Sequence, residues 1–402
     1  MPNPHRHLPQ ETLDCIIDLL HDELNTLKQC CLVSKSWISR TRKHIFADIR
    51  FRSADDLDSW RKTFPDPSTS PAYHTHTLTT CCTQAIMAGA EADGWIPTFS
   101  RVVRLRLNDT TKLDDHSKIT LSPFHKFSPT LKSLRVDSET ISYPQIFSLV
   151  RSFPLLEDLS MFGRSPWKNE DNIHHGTQAV VPSASEPALN GSLELVLPGG
   201  LGYATQRLVE LPGGLRFRKL VLSWFCQRDL RRIVELVVRC SDTLECLDIT
   251  RNPFSMFGLI LRWSYSLPSF AGGASPASVD LSKATKLKDA VFRPRLWIVS
   301  WIVIALQTIT SKHRDLRQIS IYIPDSFASI NVGNDVEKVV GEAIYALSLD
   351  LDRLLVQFWE SRSVRPRLIH TVQEKGKQNM EYCVGRLLPE ITKRGIVDLV
   401  WH

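Results

Sequence analysis

Apolar positions in the first fifty residues follow a helical period. Leu13, Ile16, Ile17, Leu20 and Leu24 recur at i, i+3, i+4, i+7 and i+11, the spacing of one buried helix face. Two further short helices are predicted over residues 27–33 and 36–46, with Ser34 or Ser36 as the N-cap of the third. About forty residues bury too little surface to be stable alone, so this block is expected to complete its core against something else. From about residue 100 the pattern changes to apolar-x-x-apolar-x-apolar. Copies fall at Val102/Leu105/Leu107, Leu131/Leu134/Val136, Leu156/Leu159/Met161, Phe217/Leu220/Leu222 and Leu244/Leu247/Ile249. Later copies are Leu287/Ala290/Phe292, Leu316/Ile319/Ile321, Leu351/Leu354/Val356 and Ile396/Leu399/Trp401, with a degenerate one centred near Leu195.

Between the copies run helical stripes, over residues 143–153, 229–240, 297–309 and 336–349. A short strand with a returning helix cannot bury its apolar face alone, so stacked neighbours would make the core. Leu105 and Leu134 are 29 residues apart and Leu220 and Leu247 are 27 apart, near the period of leucine-rich repeats. The chain resembles such a repeat array, irregular and interrupted by insertions near residues 163–191 and 268–282. The expected fold class is α/β: a small helical N-terminal unit, then a leucine-rich-repeat solenoid with parallel strands on the concave face and helices on the convex face. Residues 1–7 read as a disordered tail, 8–50 as the helical unit, 51–100 as a connector and 101–402 as the repeat domain.

The N-terminal block resembles the F-box, of the kind expanded in fungi. Leu8, Pro9 and Glu11 open the motif, Leu13, Ile16 and Leu20 form its apolar helix, and Val33-Ser34-Lys35-x-Trp37 closes it. One departure is Thr12, where an aliphatic residue is usual. The resemblance implies a substrate receptor of an SCF-type cullin ubiquitin ligase, docking a Skp-type adaptor and, through it, a cullin scaffold. Leu8, Pro9, Glu11, Leu13, Ile16, Ile17, Leu20, Val33 and Trp37 are the expected adaptor contacts. Interfaces of this size draw most of their energy from a few such anchors. A helix-turn-helix DNA reader is the rival reading, because Lys35, Arg40, Arg42, Lys43 and His44 cluster on the third helix. Its recognition end would carry Trp37 and Ile38 rather than polar base-reading groups, which disfavours nucleic acid.

Strand side chains alternate, so residues flanking each central apolar position point away from the core. The expected contacts for an unknown protein substrate are Arg104, Arg106, Arg135, Asp137, Asp158, Asp248, Arg293 and Tyr322. The same row extends to Arg353 and Gln357 around the copy at Leu354. A repeat-based interaction scaffold without ligase activity is the alternative.

Composition changes little in this picture. The 402 residues carry a net charge of +6, a mild and dispersed excess that does not mark a dedicated nucleic-acid surface. The most apolar run, residues 296–309, is too short to span a bilayer, so no membrane is expected. Nine cysteines without a C-x-x-C pair imply reduced thiols in cytoplasm or nucleus rather than a zinc site. His74-x-His76 and His174-His175 lack a convincing third ligand, so no metal or cofactor is predicted. No phosphate-cradling, zinc-protease or nucleophile-elbow motif is present, and the reading is non-catalytic.

Overall fold

One hydrogen-bond motif repeats at eight strand entrances. Two consecutive backbone N–H groups point at a single carbonyl of the preceding strand segment. His76 and Thr77 share the oxygen of Ala47, Val103 and Arg104 that of His76, Lys132 and Ser133 that of Val103, and Glu157 and Asp158 that of Lys132. The motif returns with Arg218 and Lys219 on Gly191, Glu245 and Cys246 on Arg218, Lys288 and Asp289 on Glu245, and Arg317 and Gln318 on Lys288. Threonine hydroxyls add a second link at three of these steps. Thr75 donates to the Phe46 carbonyl at 3.0 Å, Thr130 to Val102 at 2.8 Å and Thr243 to Phe217 at 3.1 Å.

This computed structural model describes residues 9–81, 95–109, 121–127, 129–138, 141–163, 189–197, 201–211, 214–224, 227–251, 279–294, 299–324, 335–362, 364–370, 377–396 and 398–401. The chain is α/β, with twelve strands whose order along the sheet is their order in the sequence. Each pair of strands whose register is described is parallel. The chain divides near residue 160 into two compact units.

The first unit opens with helices α1 (Gln10–Leu19), α2 (Leu24–Val33) and α3 (Lys35–Ile45). Ser34 caps α3, accepting from the Ser36 N–H at 3.3 Å, where the sequence left Ser34 and Ser36 open. Helix α1 stops at Leu19, so Leu24 begins α2 instead of extending the first stripe. The helices pack α1 on α3 and α2 on α3, with Ile17, Leu27, Cys30 and Thr41 buried between them. Then follow β1 (Asp48–Phe51), α4 (Ala54–Thr63), β2 (Thr77–Thr80), β3 (Arg104–Asp109), β4 (Ser133–Ser138) and α5 (Tyr143–Arg151).

The segment read as a connector therefore contributes a strand and a helix, and β1 begins just before it. Thr77-Leu78-Thr79-Thr80 holds a single aliphatic residue and offers no repeat motif, yet all four residues are buried. The β1 end is closed by Trp60 of α4, edge-on to Phe46 and Phe51 and stacked on Phe99. Strand β5 (Asp158–Phe162) falls where the chain divides.

The second unit contains β6 (Ser192–Val196), α6 (Leu201–Val209), β7 (Lys219–Trp224), α7 (Gln227–Cys240), β8 (Cys246–Arg251), β9 (Asp289–Arg293) and α8 (Ser300–Gln307). It continues with β10 (Gln318–Tyr322), α9 (Val336–Val340), α10 (Glu342–Arg362), β11 (Arg365–His370), α11 (Lys377–Leu387), α12 (Pro389–Lys393) and β12 (Asp398–Trp401). Its central apolar residues stack in register, Leu193 on Leu220, Leu247, Ala290 and Ile319, and all five are fully buried. Leu193, not Leu195, thus centres the degenerate copy. The first unit stacks Leu78, Leu105 and Leu134 in the same way.

One expected copy is not a strand. Leu351, Leu354 and Val356 lie within the 21-residue α10, so Arg353 and Gln357 leave the strand row. The pattern Leu-x-x-Leu also satisfies a helical i, i+3 face, and Leu351, Leu355 and Phe358 are buried on that face. The strand of this repeat is β11, where Leu368 registers with Ile321 and Leu399. The stripe over 336–349 is also split, because Gly341 takes φ +86° between α9 and α10, a left-handed backbone that favours glycine. The insertions expected near 163–191 and 268–282 lie largely outside the described residues.

Candidate docking and partner-binding surfaces

One carboxylate ties helix α1 to helix α3. Asp18 on α1 accepts from Arg40 Nε at 2.6 Å and from Arg40 Nη2, and pairs with His44 Nε2 at 2.7 Å. The bonds from Arg40, then those from His44, hold the Asp18 carboxyl well below the usual carboxylate range. With α1 fixed against α3 by this clamp and by Ile17, other apolar side chains are left outside. Ile16 is 42% exposed, Leu19 81%, Leu24 52%, Leu32 81% and Val33 67%. Among the described residues, five of the nine large hydrophobic side chains most open to solvent thus fall within positions 16–33, a local excess where isolated exposed leucines would need no explanation.

The expected adaptor contacts divide accordingly. Pro9 is exposed at the start of α1, its carbonyl accepting from Thr12 and Leu13 N–H groups. Glu11, Ile16 and Val33 are exposed, while Leu13, Leu20 and Trp37 are half-buried. Ile17 is a correction: at 1% exposure it is core and presents nothing to a partner. Leu8 lies outside the described residues. Leu19, Leu24 and Leu32 were not singled out from the sequence as contacts, because an apolar stripe reads as core until the packing shows which residues the partner helices cover.

The strand face in the first unit is basic. The register sets Arg104 beside Thr77 and Ser133, and Arg50 beside Thr79, then Arg106, then Arg135. All four arginines are exposed, and Asn108 and Asp137 form the next row. Arg135, Asp137 and Asp158 each have further interactions within the protein. Asp158 is half-buried at the start of β5. Arg50 was missed because β1 carries no repeat motif.

In the second unit, three expected residues meet across adjacent strands. Arg293 on β9 donates from Nε and Nη2 to both oxygens of Asp248 on β8, at 2.9 to 3.2 Å. Its guanidinium carbon sits 3.8 Å from the ring centre of Tyr322 on β10. A bidentate pair with a ring stacked on it fixes the arginine plane. Such a site is satisfied internally and presents a rigid polar surface rather than a waiting charge.

Among the described residues no group of three histidine, cysteine or acidic side chains is placed to hold a metal ion. None of the described helices is long and apolar enough to cross a membrane. His74 has its pKa lowered by burial and by Arg101, Lys43, Arg42 and His76, which mark a basic neighbourhood rather than a ligand set. No family model matches the chain, and no curated protein matches it.

Proposed function

We propose that this chain is a non-catalytic receptor of the F-box type. Helices α1–α3 would dock a Skp-type adaptor, bridging to a cullin scaffold, and the strand face would hold a protein to be ubiquitylated. The observation that carries this reading is the exposure of five apolar side chains, Ile16, Leu19, Leu24, Leu32 and Val33, on a helical unit whose own core is only a few residues deep. Large apolar side chains gathered on one small unit and left in water without a function promote aggregation. Covering it with a partner helix removes the cost and provides binding energy. The in-register parallel strands, each entered by the same shared-carbonyl motif, support a leucine-rich-repeat-like solenoid as the carrier of the substrate surface. Free thiols at all seven described cysteines agree with a reducing compartment, cytoplasm or nucleus.

The chemistry would be proximity: bound substrate lysines are held near a charged conjugating enzyme, with no reacting group supplied by this chain. The test is co-purification of the full chain with a Skp-type adaptor and its cullin. Cullin recovery that depends on the adaptor, and is lost in Leu32→Glu/Val33→Glu, is expected. Adaptor binding without any cullin would reduce the protein to a scaffold.

A further inference from the structure

We propose that β1 is a docking edge for a second copy of this chain, the two β1 strands pairing antiparallel with Asp48 of each opposite Arg50 of the other. The inference does not rest on the receptor reading. Strand β1 begins the sheet order, so among the described residues no strand lies beyond it. Its ladder with β2 uses the backbone groups of alternate residues only. Ala47 and Phe51 turn their carbonyls to that side, accepting from the Thr77 and Cys81 N–H groups at 2.9 and 2.8 Å. By the period of two, Asp48 and Arg50 turn their N–H and C=O groups outward. The Arg52 N–H points the same way, to the Asp56 carboxylate at 2.8 Å. An open row of this kind is a template for another strand. Trp60 closes the core beneath β1, but a groove of about 480 Å³ lies between residues 49–52 and the Ser59 and Thr63 side of α4. Asp56, which takes the outward Arg52 N–H, lines it too, so the groove lies at the open edge.

The charges along this edge select the occupant and its register. Outward-facing residues must meet outward-facing residues for two strands to bond. In an antiparallel two-fold pair that sets Asp48 opposite Asp48, Asp48 opposite Arg50, or Arg50 opposite Arg50. The first and last oppose like charges, which destabilises a sheet. The last also calls on the outward Arg52 N–H, already held by Asp56. In the middle register Asp48 of each copy faces Arg50 of the other, and each such pair exchanges both its N–H···O bonds. Ile49 then meets Ile49 on the two-fold axis, an isologous contact. Asp48 and Arg50 are exposed, and neither has an ion-pair partner among the described residues. Charge on an edge guards against pairing when it meets its own kind; here the signs alternate, so the strand is its own complement.

Sedimentation velocity of the full chain over a concentration series is the test. Wild type is expected to shift from monomer to dimer as concentration rises. Asp48→Arg and Arg50→Asp each set like charges opposite one another and should weaken the dimer by about tenfold. An equimolar mixture of these two variants should dimerise again, because every arginine then faces an aspartate on the other chain. Asp48→Arg/Arg50→Asp, with both signs reversed, should do the same by itself. Both positions are exposed, and thermal melts matching wild type would show that the variants fold. Leu32→Glu/Val33→Glu should dimerise as wild type does. A wild type that stays monomeric at every concentration would overturn the proposal, as would single variants that associate like wild type or a mixture that stays monomeric. Loss of the dimer in Leu32→Glu/Val33→Glu would also overturn it, placing self-association on the helical surface instead.

Discussion

Asp18 shows how much one side chain decides in a small helical unit. Its carboxylate joins α1 to two residues of α3, and its ionised form is favoured in the fold, chiefly by the Arg40 hydrogen bonds. A carboxyl that titrates lower when folded adds stability in full above its ordinary value near 3.9. That stability is lost as pH falls through the depressed range. Asp18→Asn should therefore loosen α1 near neutral pH, and its difference from wild type should shrink toward about pH 2. Hydrogen exchange of α1 amides across that range would show it, and a difference that grows in acid would refute the clamp. Thiol chemistry offers a second check at this scale. Burial pushes Cys240 up to about 12 and Cys383 up to about 11, whereas Cys15 is exposed. Iodoacetamide should label Cys15 in the native protein and spare the other two until unfolding; early labelling of Cys383 would mean that α11 opens readily.

At the scale of elements, the strand-and-helix layers depend on buried polar links as well as apolar stacking. Asp352, 1% exposed within α10, accepts the N–H groups of Glu390 and Ile391 at 2.8 and 3.0 Å and so caps the start of α12. Asp352→Ala would leave the buried Ile391 N–H unmatched, at about 1–3 kcal/mol, and free the part-buried Glu390 N–H; urea unfolding would measure the loss, and a change within error would argue against the cap. His313 pins two loops in a similar way. Its Nδ1 accepts from the Thr310 N–H at 3.1 Å, which leaves Nε2 to donate to the Leu281 carbonyl at 2.8 Å. Neither link could be read in the sequence, since each joins residues more than 30 positions apart. The strands with the full apolar pattern were legible, because a period of two with a central leucine has few other solutions. β2 was not, because three of its four buried positions are threonines. The copy at Leu354 misled because three-residue spacing suits a helix equally well.

Across the whole molecule, alternation along predicted strands was enough to place Asp248, Arg293 and Tyr322 on one face, though only the register showed that they touch. The helical unit was harder to read. Periodicity located its helices, but which leucines lie outside depends on how α1 and α2 pack on α3, and the exposed set differs from the predicted one at Ile17, Leu19, Leu24 and Leu32. Division of labour between this apolar surface and the strand face is the central claim. Calorimetric titration of the full chain with purified Skp-type adaptor tests it most directly. Saturable binding is expected for wild type and for Arg106→Gln/Arg135→Gln alike, with loss of at least about tenfold in Leu32→Glu/Val33→Glu. No binding by wild type, or equal binding by the Leu32→Glu/Val33→Glu variant, would contradict it.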